Sequence, residues 1–272
     1  MKQTICNTCG TQFPASAPLP QLCPICEDDR QYIGPNGQQW ASAAELNNKH
    51  SVLFKKINEQ LYDCRIIPSF AIGQRAFLIC SPQGNILWDC IPLLNEQVVA
   101  FIQSKGGLKA IAFSHPHYYS NMNEWAEMFD CPVYIHQQDA EWVKHPGPRI
   151  QLWEGKEKCF WEGIRAVHVG GHFPGSAVLE VPFLSPGGAL FVGDTLYIAA
   201  SRRHTAIMYS YPNQVLLGRE AFAAALERMK GLPFDTMYGA FDWQTLSGNA
   251  RTVFEESMER YVKAYGLYFF FP

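Results

Sequence analysis

The chain has 272 residues, of which 47% are hydrophobic and 17% are charged. This balance is typical of a folded globular protein and excludes extended disorder, and the length allows one large domain together with a small module. The formal net charge is -3 at pH 7, so no global field attracts nucleic acid or an anionic membrane surface.

The ends of the sequence and its apolar runs bear on where the protein is expected to be found. The N-terminal sequence MKQTICNTCG lacks a signal-peptide core, and no later apolar run is long enough to span a membrane. We therefore expect a cytoplasmic protein with no membrane partner. The C-terminal sequence LYFFFP is unusually apolar, and we expect it to pack on the domain or on a second subunit of a homo-oligomer.

The beginning of the chain differs in composition from the rest. Residues 1–40 are rich in Cys, Pro, Gln and Gly and show no helical periodicity, whereas long periodic segments start after Ala41. The sequence therefore predicts a small module over residues 1–40 and a main domain over residues 41–272.

Four of the nine cysteines form two Cys-x-x-Cys pairs, Cys6 with Cys9 and Cys23 with Cys26. Such pairs let four thiolates converge on one ion and leave no open position for water, which predicts a structural zinc ribbon. Rubredoxin-like iron sites use the same ligands. Their knuckles usually carry glycine after each pair, and because Glu27 follows the second pair, the sequence favours zinc.

Strands and helices alternate in the first part of the main domain. The segments 65–72, 76–80, 85–89, 109–114 and 132–136 read as strands, and helical patterns lie over residues 95–107 and 121–129. Such alternation predicts an α/β sheet with covered faces.

The later part of the chain predicts a more antiparallel sheet. Strand patterns lie over residues 163–169, 176–183 and 188–194 and are joined by Gly and Pro turns. Two helices, over residues 213–231 and 249–266, flank a short strand over residues 234–241.

Three histidines and one aspartate occur at predicted strand ends. His115 and His117 follow a strand in IAFSHPHYYSN, and an i, i+2 pair in extended chain would project both imidazoles to one side. His172 lies in the Gly-rich turn VGGHFPGS, and Asp194 ends the strand pattern LFVGD. Side chains at strand ends commonly form sites, so these four residues are candidate metal ligands.

The motifs ILWDC, SHPH, GGHFPGS and VGDT resemble those of the metallo-β-lactamase superfamily in order and context, from about Arg65 to the C-terminus. The resemblance implies an αββα sandwich with its metal cleft along one edge of the two sheets. It also implies that Asp89 does not bind the metal itself but helps to orient the residues that do.

The sequence departs from this family at the second metal site. The family motif His-x-His-x-Asp-His ends here in Tyr119 and Ser120, which are poor ligands for a divalent ion. A further family histidine is replaced by Ala240 or Phe241, with only Asp242 nearby. We therefore expect one zinc or iron ion, or none, on the remaining histidines and Asp194.

The resemblance implies a mononuclear metal-dependent hydrolase of an ester, thioester or phosphoester, with a small-molecule substrate and metal-bound hydroxide as the nucleophile. Asp194 would orient the water or act as base. Candidate pocket residues are the tyrosines beside the histidine motif and the side chains that follow Asp194: Tyr118, Tyr119, Arg202, Arg203, His204 and Tyr209. For each of them, core packing or a solvated loop is an equally good interpretation.

Two other functions stay open. A catalytically inactive interaction protein would hold only the structural zinc on its cysteines, and an iron redox protein would combine a rubredoxin-like module with this fold. Metal content separates the interaction protein from a hydrolase, because the interaction protein would bind one ion per chain and the hydrolase two.

Overall fold

The computed structural model describes Lys2 and residues 4–267. The chain divides into two compact units, Met1–Trp153 and Glu154–Pro272. The predicted boundary after residue 40 lies inside the first unit and stays a prediction. Residues 268–272 lie outside the described residues, and with them the expectation that the apolar tail packs on the domain or on a second subunit.

The first unit begins with the cysteine module. Its two short strands, β1 (Ile5–Cys6) and β2 (Trp40–Ala41), pair antiparallel and close the module. The four cysteines of the two pairs are buried together with Ile25 and Phe13, and the Phe13 ring meets the Trp40 ring edge-on at 5.3 Å. This apolar cluster is small, and Ile72 and Trp142 from later in the first unit also pack against it.

A seven-stranded sheet forms the body of the first unit, in the order β3 to β9. The pairs from β3 to β6 are antiparallel, and those from β6 to β9 are parallel. The strands are β3 (Ser51–Asn58), β4 (Leu61–Ile67), β5 (Ala76–Ile79), β6 (Ile86–Trp88), β7 (Ala110–Ala112), β8 (Val133–His136) and β9 (Ile150–Trp153).

Three helices accompany this sheet: α1 (Ala43–Lys49), α2 (Glu96–Ser104) and α3 (Met122–Phe129). Ser42 and Glu45 form a reciprocal capping box at the start of α1, and the Asn95 side chain caps α2. Helices α2 and α3 lie within the segments that periodicity predicted.

The predicted strand over residues 65–72 is wrong in its second half. Strand β4 ends at Ile67, because Pro68 has no N–H to donate to a neighbouring strand. The chain then turns through Ala71, whose φ of 55° lies in the left-handed region.

The second unit contains a six-stranded sheet in the order β10-β11-β12-β13-β18-β19. All its pairs are antiparallel except β13 with β18, as the sequence predicted for this half of the chain. Its strands are β10 (Glu157–Cys159), β11 (Arg165–His168), β12 (Ala177–Val181), β13 (Ala189–Gly193), β18 (Thr236–Gly239) and β19 (Thr245–Leu246).

Two small hairpins follow β13. They pair β14 (Tyr197–Ile198) with β15 (Thr205–Ala206), and β16 (Met208–Ser210) with β17 (Val215–Leu216). The second hairpin corrects the predicted helix over residues 213–231. Since Val215–Leu216 pair as a strand, helix α4 starts only at Arg219 and covers Arg219–Lys230.

Helices α4 and α5 (Ala250–Tyr265) pack with strands of the six-stranded sheet in the core of the second unit. Phe222, Leu226 and Met229 of α4 recur at helical spacing and are buried together with Val253 and Phe254 of α5. Among the described residues, no helix combines the length and the apolar character that a membrane span requires.

Candidate metal centres

The four cysteines of the N-terminal module have the geometry of a tetrahedral thiolate site. The Sγ atoms of Cys6 and Cys26 are 3.7 Å apart, as are those of Cys9 and Cys23, and none of these residues forms a disulfide. Four sulfurs at about 2.3 Å from one ion lie about 3.8 Å apart. The cluster therefore fits a single zinc or iron ion.

Local hydrogen bonds shape each cysteine turn. Gly10 N donates to Cys6 O at 2.8 Å, and Glu27 N donates to Cys23 O at 3.0 Å, so the two turns have the same form. Gly10 has a φ of 79°, and a Cβ there would lie 2.8 Å from a side-chain carbon of Pro92. Glycine is needed in the first turn, whereas the second accommodates Glu27.

Burial and hydrogen bonds within the cysteine cluster give the thiols of Cys6 and Cys9 different pKa values. Hydrogen bonds from the neighbouring cysteine thiols, Cys23 first, lower the pKa of Cys6, whereas burial raises the pKa of Cys9. Gln38 Nε2 also donates to Cys6 Sγ at 3.2 Å, which stabilises a thiolate there. A divalent ion would replace the thiol protons of the whole set.

The histidine pair follows β7 and is fully buried. His115 is extended, with φ −173° and ψ 172°, and Pro116–Tyr118 form a 3-10 turn. The extended-chain argument for this pair is therefore wrong, because the turn, and not strand alternation, brings His117 beside His115. Their ring centroids are 5.0 Å apart, and the two side chains are 1% and 2% exposed.

Asp89 acts on His115 through a residue that the sequence analysis missed. Its carboxylate accepts hydrogen bonds from the backbone N–H and the hydroxyl of Ser114, at 2.8 and 2.9 Å, and Ser114 Oγ lies 2.9 Å from His115 Nδ1. Because the Ser114 proton goes to Asp89, the His115 Nδ1–H donates to Ser114, and the lone pair is on Nε2. The only sequence signal was a hydroxyl residue directly before the pair.

Burial, and to a smaller extent the positive charge of Arg30, lowers the pKa of the His115 imidazole to about 3. The ring is therefore neutral at pH 7. A neutral imidazole with its lone pair on Nε2 is a form that binds a metal.

His172 and Asp194 follow strands of the six-stranded sheet. His172 is fully buried after Gly170 and Gly171, both at positive φ, and its Nδ1 lies 3.3 Å from Met208 O. That carbonyl accepts the Nδ1 proton, so Nε2 again carries the lone pair. Asp194 directly follows β13 and is 8% exposed.

The structure groups His115, His117, His172 and Asp194, each of which offers one ligand atom within 4.8 Å of the others. Donors at about 2.1 Å from a tetrahedral ion lie about 3.4 Å apart, so small side-chain movements would bring these four atoms onto a single ion. Three neutral nitrogens with one carboxylate suit Zn²⁺ or Fe²⁺. The residues present therefore fit the metal that the fold implies.

The family positions for a second ion hold side chains with other roles. The Tyr119 ring packs edge-on against Phe113 at 5.0 Å, and burial raises the pKa of its phenol well above the usual value, which opposes a phenolate ligand. Ser120 Oγ accepts a hydrogen bond from Gln74 Nε2 at 3.4 Å. Asp242 is exposed.

Gln244 occupies the turn where a family histidine was expected. Its Oε1 accepts from Phe241 N, its Nε2 donates to Ile198 O, and both distances are 3.2 Å. Gln244 is fully buried, and nothing in the sequence indicated its role. The expectation of at most one ion in the histidine cleft stays a prediction, and these contacts support it.

The candidate pocket residues lie in different environments. Tyr118 is fully buried, with its ring 4.3 Å from that of His115, and Tyr209 packs on the core of the second unit. Three others, Arg202, Arg203 and His204, are exposed in the β14–β15 hairpin.

The Tyr211 ring, 5.5 Å from that of His172, is stacked on Tyr197 at 5.0 Å. The negative charge of Asp194 contributes, after burial, to raising the pKa of Tyr197. The sequence did not single out Tyr197.

A protein of Bacillus subtilis strain 168, the uncharacterized protein YmaE, is 41% identical over 267 residues, which cover 97% of each chain. The chain belongs to the YmaE family. No protein-family model matches the sequence.

Solved structures show that this YmaE-family chain has the metallo-β-lactamase fold. A B3 metallo-β-lactamase with an active-site glutamic acid superposes with a TM-score of 0.56 at 17% identity, over 82% of this chain and 94% of that one. The metallo-β-lactamase DIM-1 has a TM-score of 0.57 at 14% identity, over 78% of this chain and 98% of that one. TTHA1623, solved in a di-iron-bound form, has a TM-score of 0.51 at 22% identity, over 66% of this chain and 93% of that one.

Proposed function

We propose that this chain is a mononuclear metal-dependent hydrolase of an ester, thioester or phosphoester in a small molecule. The observation that carries the proposal is the buried group of His115, His117, His172 and Asp194, with its ligand atoms within 4.8 Å of one another. The fold is that of metal-dependent hydrolases, and the hydrogen bonds at Nδ1 of His115 and His172 leave Nε2 of both rings able to bind an ion.

The chain's own residues have separate tasks in this proposal. The three imidazoles would hold the ion, and Asp89 with Ser114 fixes the orientation of His115. A bound divalent cation supplies Lewis acidity and lowers the pKa of water towards neutrality. Asp194 orients the attacking water or accepts its proton, because its carboxylate is the one anionic group in the set.

We further propose that the thiolate set holds zinc and the histidine set zinc or iron, in a cytoplasmic protein. The exposed Arg202 and Arg203 carry positive charge on the hairpin that follows Asp194, which favours an anionic substrate. Compartment and substrate both belong to this proposal.

The test is hydrolysis of a panel of activated carboxylic esters, thioesters and phosphodiesters by protein reconstituted with Zn²⁺ or Fe²⁺. We expect turnover of at least one class, its loss in Asp194→Asn with the metal still bound, and full activity in Asp242→Asn, the matched control. Two bound ions without turnover of any class would favour a protein that uses its metals only for structure or binding. Turnover that survives in Asp194→Asn would contradict the role of Asp194.

A further inference from the structure

One residue of the cysteine module contacts the segment that follows the histidine pair. Gln12 is 8% exposed, and its backbone N–H donates to Ser120 O at 3.1 Å. Ser120 is only three residues after His117 and has a φ of 46°. The cysteine module thus contacts the main chain just after the histidine turn, which is the 3-10 turn Pro116–Tyr118.

The Gln12 side chain extends this contact to helix α3. Its Nε2 donates to Glu124 Oε1 at 2.6 Å, and Glu124 Oε2 accepts from Asn121 Nδ2 at 3.1 Å. Asn121 Oδ1 in turn accepts from the buried Trp125 Nε1 at 3.0 Å. Gln12 therefore bonds both to the short segment before α3, at Ser120, and to the first turn of α3, at Glu124.

The cysteine cluster holds Gln12 in place. Cys6 N donates to Thr11 O at 3.0 Å, Gln12 forms an isolated β-bridge with Ile5, and the Cys9 thiol contacts Thr11 Oγ1 at 3.2 Å. Thr11 and Gln12 follow the first cysteine turn, so the position of Gln12 depends on how the four sulfurs are held together.

The segment from Ser120 back to the histidines is short and hydrogen-bonded. Tyr118 N donates to His115 O and Tyr119 N to Pro116 O, both at 3.3 Å. Only Tyr119 separates Ser120 from the 3-10 turn that carries His117, so the two are closely linked along the main chain.

We propose that Gln12 is a positioning residue through which the cysteine-bound metal sets the metal affinity of the histidine site. The two metal sites are then coupled, and loss of the first ion weakens binding of the second. The inference rests on the metal occupancy of the histidine site proposed above.

The test is a Co²⁺ titration of the full chain, in which thiolate charge-transfer bands report filling of the cysteine site and the d–d absorbance gained after those bands saturate reports the histidine site. Gln12→Glu places a second carboxylate against Glu124 and should drive the side chain at position 12 away. The double variant Gln12→Glu/Glu124→Gln restores the pair with donor and acceptor exchanged, and the amide oxygen at position 124 can still accept from Asn121. Gln39→Glu, an exposed change of the same charge in the same module, is the matched control.

We expect Gln12→Glu to weaken Co²⁺ binding at the histidine site by roughly 10-fold to 100-fold, as for other residues that support metal ligands. The thiolate bands should persist, and the double variant and Gln39→Glu should match the wild type. Wild-type affinity in Gln12→Glu, or no recovery in the double variant, would overturn the coupling. If the wild-type histidine site binds no Co²⁺, the proposed function itself fails.

Discussion

The two ligand clusters of this chain differ in how they are assembled. The cysteines from Cys6 to Cys26 come from one short module with little apolar core, and four thiolates close the coordination sphere. The histidine set runs from His115 to Asp194 and draws its ligands from the ends of separate strands. We therefore expect folding of the module to depend on a bound metal, whereas the ligands of the second cluster are held in place by the strands they follow.

The largest expected effect comes from removing one thiolate. Cys26→Ser should abolish metal binding in the module and lower the free energy of unfolding by at least about 3 kcal/mol, a fall of on the order of 10 °C in Tm. Calorimetry and metal analysis measure both. Cys159→Ser, an exposed cysteine outside the cluster, should change neither. Unchanged metal content in Cys26→Ser would show that the four cysteines do not share an ion.

Removing one imidazole should affect metal binding more than folding. His117→Ala is expected to lower the Co²⁺ affinity of the histidine site by more than roughly 100-fold. Mutation of residues that only hydrogen-bond to metal ligands already lowers metal affinity by up to about 100-fold. The thiolate bands should remain, in contrast to Cys26→Ser. His145→Ala lies outside the ligand group and serves as control. Equal Co²⁺ affinity in the two histidine variants would argue against His117 as a ligand.

The hydroxyl between Asp89 and His115 should have an intermediate effect. Ser114→Ala removes the acceptor of the His115 Nδ1 proton, and we expect a loss of roughly 10-fold to 100-fold in Co²⁺ affinity. Ser114→Thr keeps a hydroxyl and should recover most of the affinity, and isothermal titration measures both variants. A similar loss in Ser114→Thr would mean that the packing at this position, and not the hydrogen bond, matters.

The smallest effect is expected at Tyr119, which stands at a family position for a second ion. Tyr119→Phe retains the ring against Phe113, and because the buried phenol has a raised pKa, it should not serve as a ligand. Metal content and Co²⁺ spectrum should equal those of the wild type. A lost ion or a shifted spectrum would identify the phenol as a ligand.

The sequence predicted the fold and the ligand group because both leave local patterns. Cys-x-x-Cys spacing, histidines at strand ends and the order of four short motifs can all be seen without knowing which residues meet. Helices α2 and α3 were predictable for the same reason, since apolar residues recur at helical spacing within each of them.

What the sequence did not predict depends on contacts between distant residues. The start of α4 was placed too early because Val215 and Leu216 pair with Met208–Ser210 instead. Ser114, Gln244 and the contact of Gln12 with Glu124 are single polar residues with no periodic pattern. Their partners became visible only in the folded chain.

The most direct test of this account is the metal content of the purified full chain, measured by elemental analysis beside Cys26→Ser and His117→Ala. The account predicts two ions per wild-type chain and one in His117→Ala, held by the cysteines. Because the two sites are coupled, Cys26→Ser should lose its cysteine-bound ion and hold the second one only weakly. A single ion in the wild type that persists in His117→Ala and disappears in Cys26→Ser would contradict the proposed histidine metal centre.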